Sequence, residues 1–253
     1  VISADVLNGE LLLAWIDGQD GCLWRQDWAL PESTEEAPSP RMAPRRLTTP
    51  GAGKLADGLI DRSRSRWIGV REIDGRDQLV HVDLEASDQE PVVLHQPADF
   101  AGYACISPDH QQLAWVEWQQ PEMPWDSSEL YCAALDPDGW LGPPRRLAGG
   151  DGVSVFQPQW LPNGSVLVAE DSSGWWNLML RPPGTEQWHR PWPMAAETAM
   201  PQWIYGMSTT SWTGEELLAS VCVDGRWQLN KLSLEGGIEA IDQPFDDLSG
   251  LRA

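Results

Sequence analysis

The chain has 253 residues, with 38 acidic against 17 basic side chains and a formal net charge of −21. A field of that sign repels a phosphate backbone and an anionic membrane surface alike, so neither nucleic acid nor membrane is an expected partner. A chain of this length buries enough surface to fold without disulfides or metal ions, and no stretch approaches the roughly 18 apolar residues of a membrane-spanning helix.

Asn8-Gly9 leads into an apolar run at 11–15, and Asp20-Gly21 precedes a second at 22–24. Residues 31–44, rich in Pro, Ser and Glu, read as an exposed, mobile excursion. Arg62, Arg64, Arg66, Arg71 and Arg76 form the densest basic run, but Asp61, Glu72, Asp74 and Asp77 interleave with it, which is the pattern of a solvated hairpin. Within it, 66–70 turns at Asp74-Gly75 into 78–82. The clearest unit follows: a strand at 103–106, the turn Ser107-Pro108-Asp109-His110, strands at 113–118 and 130–135, and a fourth beginning at Arg145. Pro presets φ in such a turn, and Asp bonds its own backbone. Residues 119–129 interrupt this unit, and Pro121, Pro124 and Trp125 should order them.

The same order returns with Pro158-Gln159-Trp160, the turn Leu161-Pro162-Asn163-Gly164, and runs at 166–169 and 176–180. Residues 187–200 allow at most a short helical turn, because Pro191 and Pro193 oppose more. A last copy starts at Pro201-Gln202-Trp203, passes Trp212-Thr213-Gly214 to a strand at 217–219, and returns through Asp224-Gly225 to 227–232. A closing strand reaches Ile241, and 245–253 resemble the first strand of one more unit.

The second strands of these copies centre near 13, 68, 114, 167 and 218. A pitch of about 50 residues per four short strands is that of a propeller blade. The expected fold is therefore all-β: a β-propeller of four-stranded blades, about five of them, forming a partial propeller. The blades fall near 1–50, 60–97, 98–150, 153–195 and 198–244, in one domain or fragment. Facing sheets hide surfaces that one sheet alone cannot, and an unclosed blade edge invites self-association. Sixteen tryptophans supply the packing. Trp15, Trp67 and Trp115 share one station, Trp24 and Trp176 a second, Trp160 and Trp203 a third. Trp125, Trp140 and Trp192 fall outside the regular stations.

Cys22, Cys105, Cys132 and Cys222 form no C-x-x-C pair and each lies in or beside an apolar run. Buried free thiols suit a reducing compartment, and the expected location is cytoplasmic. No charged-then-apolar leader opens the chain, which begins at Val1 and is expected to be a piece of something longer.

No catalytic constellation emerges. Gly206-Met207-Ser208-Thr209-Thr210 lacks the second Gly of a nucleophile elbow. His81, His95, His110 and His189 form no H-E-x-x-H, and Gly51-Ala52-Gly53-Lys54 is not a phosphate loop. No metal or cofactor is expected. The one group of interest is Glu122, Trp125, Asp126 and Glu129, which share a loop and are candidates for contact with a substrate or partner.

The run Ser107-Pro108-Asp109-His110-Gln111-Gln112-Leu113-Ala114-Trp115 resembles the tyrosine-tryptophan type of propeller repeat, akin to WD40-like repeats. Met123-Pro124-Trp125-Asp126, Val155-Phe156-Gln157-Pro158-Gln159-Trp160, Asp171-Ser172-Ser173-Gly174-Trp175-Trp176-Asn177-Leu178 and Pro201-Gln202-Trp203 extend the likeness. Together they resemble the N-terminal propeller of prolyl-oligopeptidase-family serine peptidases, nearest to dipeptidyl-aminopeptidase and acylaminoacyl-peptidase-like enzymes. The resemblance implies a noncatalytic region that gates short peptides toward a separate α/β-hydrolase domain of the same polypeptide. All triad residues would lie in that domain, so no catalytic residue carries over to this chain. The alternative is a stand-alone propeller that binds partner proteins.

Overall fold

The computed structural model describes residues 2–7, 9–31 and 36–252. Its strands form five successive antiparallel sheets. The first holds β1 (Ile2–Leu7), β2 (Glu10–Ile16) and β3 (Leu23–Ala29), with the short β4 (Ser39–Pro40) and β5 (Arg45–Arg46) both pairing with β3. The second runs in order through β6 (Lys54–Asp61), β7 (Arg66–Ile73), β8 (Arg76–Asp83) and β9 (Val92–His95). The third is β10 (Phe100–Ile106), β11 (Gln112–Trp118), β12 (Glu129–Ala134) and β13 (Arg145–Gly149). The fourth has three strands, β14 (Val155–Trp160), β15 (Val166–Glu170) and β16 (Asn177–Arg181). The fifth is β17 (Thr210–Trp212), β18 (Leu217–Val223), β19 (Arg226–Leu232) and β20 (Ile238–Ile241). Among the described residues the one helical element is a 3-10 turn at Arg62–Arg64. The fold is all-β, of the β-propeller class, with five blade sheets. The chain divides into two compact units, 1–104 with 135–141, and 105–134 with 142–253, and the division falls within β10.

Local chemistry explains the regular parts. At the Ser107-Pro108-Asp109-His110 turn, Ser107 Oγ donates to Asp109 Oδ1 at 2.6 Å and accepts from Gln112 N at 2.9 Å. His110 takes a φ of 56°, which closes the turn. In the first unit Trp67 on β7 is 1% exposed, and its Nε1 donates to Ser3 Oγ at 3.1 Å. Its ring fills a slot made by two glycines: a Cβ would lie 1.9 Å from the ring at Gly58 and 2.1 Å at Gly69. Around it pack Leu12, Leu23, Leu47, Val80 and Val82. The second unit is centred on Trp115, Phe156, Leu113, Leu130 and Leu161, each fully buried.

A second repeat is carried by the backbone. β6 is bulged between Ala56 and Leu59, and β14 between Phe156 and Gln159. The bulge residues Asp57 and Gln157 have φ of 47° and 49°. Each points a side chain at the first strand of the following sheet. Asp57 Oδ2 accepts from Tyr103 N. Gln157 Oε1 accepts from Thr209 N at 2.8 Å and Thr210 N at 3.1 Å, while its Nε2 donates to the Thr210 carbonyl at 2.8 Å. A bulge that strains one strand thus satisfies buried backbone groups on the next.

Five expectations need correction. The second sheet begins at Lys54 and not near 60, in a strand bulged between Ala56 and Leu59. The excursion at 31–44 pairs back at Ser39–Pro40, and its residues 32–35, like Asn8 of the first turn, lie outside the described residues. The fourth sheet lacks a fourth strand, with an isolated bridge Leu180↔His189 in its place. The fifth sheet starts at Thr210, and 201–203 form no strand. Residues 245–252 form no strand. They fold back on the fifth sheet, with Trp227 N donating to Asp246 O at 3.0 Å and Ser208 Oγ to Leu251 O at 2.5 Å.

Candidate functional site

The loop between β11 and β12 carries Glu122, Trp125 and Asp126, and Glu129 opens β12, all within the second unit. It is built from short turns. Glu122 N donates to Gln119 O at 3.1 Å, and Asp126 N to Met123 O at 2.9 Å. Asp126 Oδ2 accepts from Met123 N at 3.2 Å, so this carboxylate caps its own turn. The loop is pinned to the connection between β13 and β14. The buried Pro124 carbonyl accepts from Ser154 Oγ, and Ser128 Oγ accepts from Val155 N at 2.9 Å. Gly149 lets the chains meet: its φ is 78°, and a Cβ there would lie 2.1 Å from the Ser128 carbonyl. The loop is therefore a fixed platform.

Trp125 on that platform meets Trp203, with ring centroids 4.3 Å apart and planes at 43°. Trp203 and its neighbour Ile204 are each 71% exposed, and Met123 is 45% exposed. Beneath them Gln202 is buried and donates to Val155 O at 2.8 Å, while its Oε1 has no partner among the described residues. An aromatic pair with an exposed aliphatic neighbour, on a rigid buried base, is a surface shaped for contact. Trp203 is thus not a packing residue, as its station in the repeat implies. Its place as a strand residue fails because 201–209 form no strand. Trp192, outside the stations, is fully buried and donates to Ser233 O at 2.8 Å.

The structure separates the two remaining carboxylates. Glu129 is committed: it accepts from Tyr131 Oη at 2.7 Å and pairs with Arg146 at 2.6 Å. Burial and Glu129 push the Tyr131 phenol up to about 12. Glu122 is exposed, and its carboxylate has no protein partner among the described residues. Ser208 is engaged with the Leu251 carbonyl, which leaves no nucleophile geometry there. Among the described residues no three His, Cys, Asp or Glu side chains cluster as a metal site would need. All four cysteines are free thiols, Cys22 and Cys132 buried and Cys105 and Cys222 half-buried. Burial raises the thiol pKa of Cys132 to about 11, so it is a poor nucleophile. Among the described residues no helix is long and apolar enough to cross a membrane.

Comparison with protein-family models and with curated proteins returns no match. Solved structures do match. A puromycin hydrolase is 26% identical, with a TM-score of 0.85 over 100% of this chain and 40% of that chain. A puromycin-hydrolyzing peptidase of Mycobacterium tuberculosis is 23% identical, with a TM-score of 0.81 over the same shares. The chain is thus similar along its whole length to part of two puromycin-hydrolysing enzymes. A structure from a study of two prolyl endopeptidases shares the fold alone, at 13% identity and a TM-score of 0.65 over 96% of this chain and 35% of that one. The chain spans 40% of the length of the first two.

Sequence reasoning missed Trp203 as the partner of Trp125. The available signal was the spacing itself. From Trp203 to the next certain strand at Leu217 there are more residues than a blade's first turn needs.

Proposed function

We propose that the chain is the noncatalytic propeller region of a serine peptidase, related to dipeptidyl-aminopeptidases and acylaminoacyl-peptidases, that admits short peptides to a separate α/β-hydrolase domain. The observation that carries this reading is the match along the whole chain to a puromycin hydrolase at 26% identity. Gating would be steric and electrostatic. Rigid blades exclude folded substrates, the Trp125–Trp203 pair supplies an apolar contact, and the unpaired carboxylate of Glu122 attracts a cationic α-amino group. Four free thiols favour a reducing, cytoplasmic setting.

The test is expression of the complete reading frame, with labelling by a serine-directed fluorophosphonate and assay on aminoacyl and N-blocked peptide amides. The reading expects one labelled serine outside residues 1–253 and faster turnover of substrates with a free amino group. A labelled serine inside the chain, or no hydrolysis of either class, overturns it. A stand-alone interaction module is the second reading, favoured by the exposure of Trp203 and Ile204. It expects a stop codon after Ala253.

A further inference from the structure

The ends of the third and fourth sheets opposite the Trp125 loop enclose a cleft of about 380 Å³, lined among others by Arg145, Arg181, Trp160, Val166 and Pro183. A recess of about 270 Å³ shares the walls Gln112, Trp160, Gly164 and Pro183 with it and reaches the turn at Ser107. The position follows from topology. Arg145 opens β13, Trp160 ends β14 and Arg181 ends β16, whereas the Trp125 loop leaves the far end of β11.

Two guanidinium groups facing one cleft are unexpected in a chain of charge −21. Their surroundings differ. Arg145 Nη1 is met by Glu186 Oε1 at 2.6 Å, in a pair whose members are 57% and 83% exposed. Arg181 is half-buried and makes no ion pair or side-chain hydrogen bond among the described residues. Burial and the neighbouring Arg145 lower its pKa, outweighing the attraction of the more distant Glu186 carboxylate, which is bonded to Arg145 instead. The cleft already holds one carboxylate on one arginine, supplied by its own rim, and leaves the second arginine open. Its walls are mixed, with Trp160, Val166 and Pro183 set beside the charged groups, and its volume exceeds the need of an inorganic ion. A planar guanidinium fork matches a carboxylate.

We propose that this cleft binds a small organic carboxylate, whose carboxylate pairs with Arg181 and whose apolar body lies against Trp160 and Pro183. Glu186, held on Arg145, is then a competitor, because its carboxylate repels a ligand carboxylate at the neighbouring Arg181. No bond is made or broken in this step.

The test uses the 253-residue chain labelled with 15N at its tryptophan indoles. Trp160→Phe assigns the Trp160 signal, and sodium benzoate, benzamide and inorganic phosphate are titrated separately through the millimolar range. Benzoate should move the Trp160 signal saturably, and benzamide should not. Arg181→Gln should weaken benzoate binding about tenfold or more, while Glu186→Gln should tighten it at an unchanged melting temperature. These opposite signs separate the proposal from a folding defect. Three results would overturn it: no saturable shift, an equal response to benzamide, or unchanged affinity in Arg181→Gln. A response to phosphate without one to benzoate would replace the carboxylate by an inorganic oxyanion and equally overturn it.

Discussion

Trp67 and Trp203 are the same residue type in opposite situations. Trp67 lies in a slot cleared by Gly58 and Gly69, with its indole N–H satisfied by Ser3. Trp203 stands 71% exposed against Trp125, on a base fixed by buried Ser154 and Gln202. The difference teaches that a tryptophan is assigned to the core by what the backbone vacates around it and by a partner for its N–H. Its place in a repeat does not decide this.

The sharpest way to break that contrast is Trp67→Ala, which should cost about 3–5 kcal/mol because two glycine-lined walls cannot close over the void. Denaturant unfolding measures it. A loss under about 1 kcal/mol would mean that the slot collapses.

Close behind comes Asp61→Asn beside the same core. Asp61 is fully buried and pairs with the nearly buried Arg66 at 3.0 Å, and Arg66 also donates to Gly139 O at 2.8 Å. Burial alone would raise the Asp61 pKa, but hydrogen bonds from Ser63 and Arg66 outweigh it and the net direction is down. The Arg66 pKa is also lowered, by burial, and its Nη2 finds no partner among the described residues. The pair therefore favours the carboxylate more than the guanidinium. Removing the carboxylate strands a buried cation, at a cost of about 3 kcal/mol. Because the folded pKa lies below the unfolded one, Asp61 stabilises the fold above about pH 4, and this contribution fades as pH falls through the folded value. Asp61→Asn should lose that acid limb, which stability measured against pH detects.

Next in size is Gln157→Ala. Its amide accepts from Thr209 N and Thr210 N and shares Thr210 O with Gln159, so truncation leaves the two buried N–H groups unpaired at about 2 kcal/mol. Faster hydrogen exchange should appear first at Thr209 and Thr210. The smallest effect belongs to Trp203→Ala, expected within about 0.5 kcal/mol of the parent in thermal melts, as for an exposed side chain.

The blade pitch was legible because hairpins at 66–82 and 113–135 alternate cleanly between turn residues and apolar runs. What the pattern hid was the first strand of a blade. β6 contains Asp57-Gly58, and β17 has only three residues, Thr210–Trp212, so neither shows a strand's period. Both are held by side chains from a bulge or to one, a nonlocal arrangement without a short-range signature. At the candidate site the loop around Trp125 stood out by composition. Its partner Trp203 did not, because contact across more than seventy residues depends on how the Ser128, Ser154 and Gln202 hydrogen bonds draw the segments together. The fates of Asp126 and Glu129 were equally hidden, since capping and ion pairing depend on register.

The most direct test of the gating account is the ratio of kcat/KM for a tripeptide to that for a peptide of about 30 residues, measured on the complete protein with and without Trp125→Ala and Trp203→Ala. The account predicts that the double variant keeps its melting temperature and raises KM for the short substrate, which narrows the ratio. An unchanged ratio in a fully folded double variant would contradict a role for this surface in admitting substrate.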